Sequence, residues 1–345
     1  MARFVVARLL TSVFPFLAVT LFVFIVFFVM PQPTVRARGR GANATDYDIR
    51  TAITLHGSLP AQYGQFTWGI VRHGSFGKSY FGRRDVGTLI RNAAPVTLSL
   101  LVGGLVFWLL LAFPIGILSA LRPRSLLDRA GMVFVLIGVS AHPAWLGLVL
   151  GYVLGYRVHI FPFTGYCEVF SPQTICGGPT QWVYHLLLPW FTFAVLYAAM
   201  YARMIRASVL ETLDEEYVRT ARAKGAGEFK VLRTHVLRNA MLPVITMIGM
   251  DIGTALGGVI FVESVFGLPG LGGMLRSAIT AKDLPVVLGV VTFTTTGILL
   301  LNLAVDLAYA FIDPRVRQAQ SSPVRRRAAA GGRTAPVGEP APTTS

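Results

Sequence analysis

The stretch that looks most like chemistry is HGSFGKSYFGR, with Gly77-Lys78-Ser79 at its centre. A phosphate-binding loop needs a further glycine five positions ahead of its Gly-Lys-Ser, so that successive backbone amides turn toward the phosphates. Arg72 holds that place, and no other run of this type occurs, so no nucleotide site is expected in this chain. The chain has 2 cysteines, Cys167 and Cys176, with no CxxC pattern and no histidines at ligand spacing, so no metal site is expected. His142-Pro143, and His185 near Pro189, read as kinks and interfacial polar groups. No Ser, His, Cys or acid constellation gathers on one side, which argues against an enzyme. What remains is one acid, Asp251, set deep in an apolar run where a charge is costly and normally faces a cavity or a partner. It suits either a translocation pathway or a hydrogen bond between packed helices.

Those residues must be positioned by a membrane protein. Of 345 residues, 54% are hydrophobic and only 14% charged, and the mean hydropathy is +0.61. A hydrocarbon core about 30 Å thick takes roughly 20 apolar residues per helix. Six runs meet that need: 9–30, 95–121, 131–156, 185–204, 241–262 and 285–312. The first has no small-residue cleavage site after it and reads as a retained anchor. The fold class is therefore all-α and polytopic, with about six transmembrane helices. The net charge of +15 would suggest nucleic acid in a soluble protein; beside apolar runs it fixes topology and meets anionic lipid, so no nucleic-acid partner is expected. Arg3, Arg8, Arg122, Arg124, Arg129, the segment 203–243 and Arg315, Arg317, Arg325, Arg326 and Arg327 all fall on one side of a six-span chain. The positive-inside rule makes that side cytoplasmic, with both termini there.

This topology divides the chain into a first segment 1–30, an extracytoplasmic region 31–94, a core 95–314 and a tail 315–345 expected to be disordered. Cys167 and Cys176 share an extracytoplasmic loop, where oxidising conditions favour a disulfide over two free thiols. Glu263, at the outer end of its span, is expected to order the VFGLPGLGG loop that follows it. Asn302 and Asp306 in the last span are expected to make bundle contacts.

The polar segment RMIRASVLETLDEEYVRTARAKGAGEFKVLRTHVLRNAMLP, 203–243, lies between two spans and must sit in water. Asp214 is a candidate helix cap, with Glu215 and Glu216 in the favourable first turn. Glu215 and Arg219 are spaced to pair on one face, and Gly225 offers a left-handed stop. Ala221, Ala223 and Gly225 would let another backbone approach. Composition alone leaves two readings open, a docking element for a soluble partner and an amphipathic helix lying on headgroups.

The strings ARMIRASVLETLDEEYVRTARAKG and HVLRNAMLPVITMIG resemble the cytoplasmic loop of ABC-importer permeases, the binding-protein-dependent inner-membrane component. HGSFGKSYFGR, FVESVFGLPGLGGMLRSAITAKDLPVVLGVV and DLAYAFIDPRVR are similar too, over roughly residues 1–317, most closely to the first of the two paired permeases in dipeptide, oligopeptide and nickel systems. The resemblance implies a type I importer permease fold and a cytoplasmic coupling loop, 205–240. In that loop Glu215, Glu216, Tyr217, Arg219, Thr220, Ala221, Ala223, Lys224 and Gly225 form a helix that docks on an ATPase. It implies partners: a second homologous permease, two ABC ATPases that bind the ATP, and an extracytoplasmic solute-binding protein, all at the inner membrane. The chain departs from the broad permease pattern where Arg219-Thr220-Ala221 replaces Glu-Ala-Ala, as is usual in the peptide subgroup. A bulky residue at Gly225 or Ala221 is expected to abolish uptake without preventing insertion. The rival reading is a proton-coupled secondary transporter working through Asp251 and Asp306, which leaves the cytoplasmic segment without a task.

Overall fold

A computed structural model describes residues 2–26, 35–36, 46–47, 57–74, 76–81, 83–169 and 176–312. With no water in a bilayer core, every backbone amide and carbonyl must be bonded within the chain, and helices do this segment by segment. The described chain is accordingly helical, apart from a two-residue antiparallel pairing of β1 (Val35–Arg36) with β2 (Asp46–Tyr47). The helices are α1 (Ala2–Phe24), α2 (Leu59–His73), α3 (Val86–Leu121), α4 (Leu126–Ser140), α5 (Pro143–Leu150), α6 (Pro179–Leu213), α7 (Glu216–Ala223), α8 (Glu228–Val231), α9 (Leu237–Phe266), α10 (Leu271–Ala281) and α11 (Leu284–Ile312). A π-helical stretch, Gly151–Arg157, extends α5, and another, Leu232–Val236, joins α8 to α9.

Among the described residues, 4 helices are long and apolar enough to cross a membrane: Val86–Leu121, Pro179–Leu213, Glu228–Phe266 and Leu284–Val305. The expected third span, 131–156, is not one straight helix: α4 and the α5 segment are apolar enough together to cross but meet at 108°. The break falls at His142-Pro143, where Pro143 disfavours helix in the residue before it and His142 Nδ1 accepts from the amide of Ala144 at 3.2 Å. Of the expected first span, the apolar helical part Val13–Phe24 is seen, and 27–30 lie outside the described residues. So do most of 31–56, the tail 315–345 and the side chain of Asp306. The second span begins earlier than expected, at Val86 instead of Pro95. The carboxylate of Asp85 caps the amide of Thr88 at 2.9 Å, and Pro95 is carried inside the helix.

α3 and α6 form the central seam. Lipid tails are as apolar as leucine, so helices in a membrane associate through close packing and hydrogen bonds, and small residues permit the approach. Gly103 lies under Trp190 and Gly104 under Phe193, while a side chain at Gly116 would come within 2.8 Å of Ala202 O and Ile205. Trp190 Nε1 donates to Ser99 O at 3.0 Å across the same seam. Buried side chains then stack in three layers along α3. Val86 and Ile90 pack with Phe66, Phe76 and Leu288. Leu100 packs with Phe193, Val259 and Phe266. Trp108 and Ala112 pack with Tyr201, Ile205, Val218 and Val236.

An ion pair, buried at Asp128 and partly exposed at Arg206, ties α4 to α6. Arg206 donates to both carboxylate oxygens of Asp128, Nε at 2.7 Å and Nη2 at 2.9 Å, and the amide of Arg124 adds a third bond at 2.9 Å. The Asp128 side chain is 7% exposed, so removing its partner strands a charge. Arg206→Met is expected to cost about 3 kcal/mol, read as a lowered unfolding midpoint in detergent, with Arg206→Lys intermediate because it loses the bidentate geometry.

Candidate functional site

The end of the bundle that the arginines assign to the cytoplasm carries α7. Its N-cap position is taken by Glu215, not Asp214, which closes α6 through backbone bonds to Glu211 and Thr212. The reason is local: the chain turns at 214–215, and Glu215 takes the extended conformation of a cap while its side chain makes no capping bond. Glu215 and Arg219 do not form the expected ion pair. Arg222 instead grips Glu228 with Nε and Nη2 at 2.9 and 3.2 Å, bracing α7 against α8. Gly225 holds φ at +81° with open space around it, as a left-handed stop requires.

One face of α7 is internal. Val218 is fully buried and Ala221 half-buried, both against the layer of Trp108, Tyr201 and Val236. The Tyr217 hydroxyl accepts from Asn239 Nδ2 at 2.9 Å, which fixes α7 to the base of α9. Glu216, Arg219, Thr220, Ala223, Lys224 and Gly225 are exposed. Of the three small residues, Ala221 packs partly inward, and Ala223 and Gly225 are exposed. Phe229, 76% exposed beside this face, was missed from the sequence. Its signal was present, an aromatic ring in an otherwise charged stretch that must sit in water.

Asp251 lies mid-helix in α9 and is half-buried; its Oδ2 accepts from the Tyr201 hydroxyl of α6 at 2.7 Å. Tyr201 in turn lies edge-on to Trp108, centroids 4.5 Å apart. The structure thus places Asp251 in a helix–helix contact. Asn302 packs on Gly253, a contact between α11 and α9.

At the opposite end, Glu263 is fully buried and accepts from the amide of Gly272 at 2.6 Å, at the N-terminus of α10. Gly270 lies so close to this carboxylate that a side chain there would collide with it. The hydroxyl of Thr97 accepts from the amide of Leu271 at 2.9 Å. Two polar groups in a buried setting thereby hold the VFGLPGLGG loop. Ser79, from the string that mimics a phosphate loop, donates to Asp283 Oδ2, and the Tyr80 amide donates to Oδ1 at 3.2 Å. That string clamps the segment ahead of α3 to the start of α11. No pattern in the sequence paired residues so far apart.

Cys167 and Cys176 are joined by a disulfide with Cα atoms 5.2 Å apart, and His185 Nδ1 lies 3.1 Å from Cys167 Sγ. The bond closes the loop in which Glu168 bridges to Gly177. With these three walls in place, a cleft of about 1190 Å³ opens between the N-terminal part of α3, the disulfide loop and the 264–277 region.

Residues 112–318 match the family model described as binding-protein-dependent transport system inner membrane component, and residues 1–101 match the model for its N-terminal part. The chain is 38% identical over 325 residues to a putative peptide permease protein of Brucella suis, covering 92% of this chain and 99% of that one. It is 34% identical to a probable peptide ABC transporter permease protein of Sinorhizobium fredii, covering 92% and 100%. It is 33% identical to the dipeptide transport system permease protein DppB of Escherichia coli, covering 92% and 99%. Because both thiols are consumed in the disulfide, the unfolded chain is expected to take up no maleimide before reduction and two after it, counted by intact mass.

Proposed function

The chain belongs to the binding-protein-dependent transport system inner membrane component family, and from that premise we propose that it is the permease subunit of an ABC importer that carries peptides into the cell. Relatives that match almost end to end are named for peptides and dipeptides, and this supports the cargo class over nickel chelates. The chain pairs with a second permease and receives cargo from a solute-binding protein on its outer face. Two ATPase subunits bind and hydrolyse the ATP. Both termini lie in the cytoplasm, as the arginine distribution directs.

The observation that carries the mechanism is the two-faced geometry of α7. One face is locked into the bundle by Val218, Ala221, Tyr217–Asn239 and Arg222–Glu228; the other, with Arg219, Ala223, Lys224 and Gly225, is open. A helix lying loosely on headgroups would not need such anchoring. A helix that transmits force does, because a push on its outer face must reach α6 and α9 without being absorbed by local bending. Closure of the ATPases on ATP shifts α7, and the attached spans move between inward-open and outward-open arrangements. Asp251, committed to Tyr201 where α6 meets α9, rides on that moving contact and need not carry a proton.

Ala223→Trp tests the docking face cleanly, since Ala223 is exposed and sits outside the buried layers. The variant is expected to fold within about 0.5 kcal/mol of the parent but to lose co-purifying ATPase subunits and ATP-driven uptake. Retention of both would place the ATPase elsewhere. Gly225→Leu is a poorer probe, because its positive φ adds strain of its own.

A further inference from the structure

The cleft at the outer end holds charges that the fold leaves unspent. Arg91 from α3, Arg276 from α10 and Glu168 from the disulfide loop all line it and are exposed. Arg276 is pinned by a 2.8 Å bond from Nη1 to Ser264 O, and Arg91 has only a long contact, 3.4 Å, from Nε to Gly87 O. Among the described residues no ion pair joins Glu168 to either arginine, although all three border one space. A crevice that merely separates helices in a bilayer is lined by apolar groups. Here charges of both signs border one space without pairing, and the segments that carry Arg276 and Glu168 are held in place. Glu263 and Thr97 fix the 264–277 wall, and the disulfide fixes the wall with Glu168.

We propose that this cleft binds the zwitterionic backbone of the peptide itself, the free carboxylate at Arg91 and Arg276 and the free ammonium at Glu168. The proposal rests on the peptide-importer reading. A carboxylate is met best by guanidinium groups, whose parallel donors match its two oxygens, and an ammonium by a carboxylate. The volume, about 1190 Å³, accommodates a short peptide rather than a single ion. Side chains of the cargo would project into the open part of the cleft. Recognition would then be by termini and tolerant of sequence.

The test uses the whole importer complex in lipid nanodiscs, without its binding protein, and tritiated trialanine in equilibrium dialysis. Saturable binding is expected, with trialanine amide and N-acetyl-trialanine each competing about tenfold less well, the scale of one lost charge-assisted contact. Arg91→Gln and Arg276→Gln are expected to abolish discrimination against the amide, and Glu168→Gln discrimination against the acetylated peptide. Arg91→Lys should retain it in part. If the complete system with its binding protein imports trialanine but the complex alone shows no saturable binding, the cleft is not the site and the peptide reading stands. If the complete system imports no alanine peptide of two to five residues, the peptide reading falls and takes this inference with it. Variants that bind trialanine normally but lose affinity for the binding protein would make the cleft a protein-docking surface, which overturns the proposal.

Discussion

Everything in this molecule hangs on the seam between α3 and α6. In lipid no hydrophobic force drives two apolar helices together, so their union depends on how near the backbones come. Glycine at 103, 104 and 116 supplies that nearness, and Trp190, Phe193 and Ile205 fill the space released. The seam's outer end fixes where α6 starts, and so places Tyr166, hydrogen-bonded to Trp182, and the disulfide loop that His185 touches. Its inner end fixes Arg206 and the turn into α7. The cleft and the exposed face of α7 thus lie toward the two ends of one helix pair.

Polar groups are used sparingly inside this bundle, and most of them link parts distant in sequence. Asp128 meets Arg206, Asp251 meets Tyr201, Glu263 meets Gly272, and Asp283 meets Ser79 and Tyr80. A buried acid is expensive unless its bonds are made, so Asp128 and Asp283, which each accept bonds at both oxygens, admit few arrangements of their neighbours. In a bundle whose apolar surfaces slide easily over one another, such contacts set the register that close packing alone leaves loose.

Much of this was legible in the sequence because hydropathy and arginine placement are one-dimensional signals. Four of the six apolar runs are helices long enough to cross, the run 131–156 is a bent pair and the first is seen only in part, and the basic segment holds α7 with its glycine stop at Gly225. Glu263 was correctly tied to the loop after it, since both lie close together in the chain. The misreadings share a cause. Asp214 and Glu215 are both good caps, and which one serves depends on where α6 ends, a matter of packing. Glu215 and Arg219 have helical spacing, yet Arg222 found Glu228 on the next helix. Ala221 turns part of its surface into the bundle, because small residues serve internal and external contacts equally well. The bend at His142-Pro143 was foreseen as a kink, while its 108° angle comes from two helices that pack separately.

The length of α6 has a mechanical corollary. Its 35 residues span about 52 Å at the usual helical rise, against a hydrocarbon core of about 30 Å, so a good part of the helix stands in water. Pivoted within the bilayer, such a helix is a lever. A rotation of about 5° displaces one tip relative to the other by roughly 4–5 Å, close to one helical turn. Small strokes at the α7 end of the helix therefore suffice to alter the width of the cleft at the other, without any helix having to unwind.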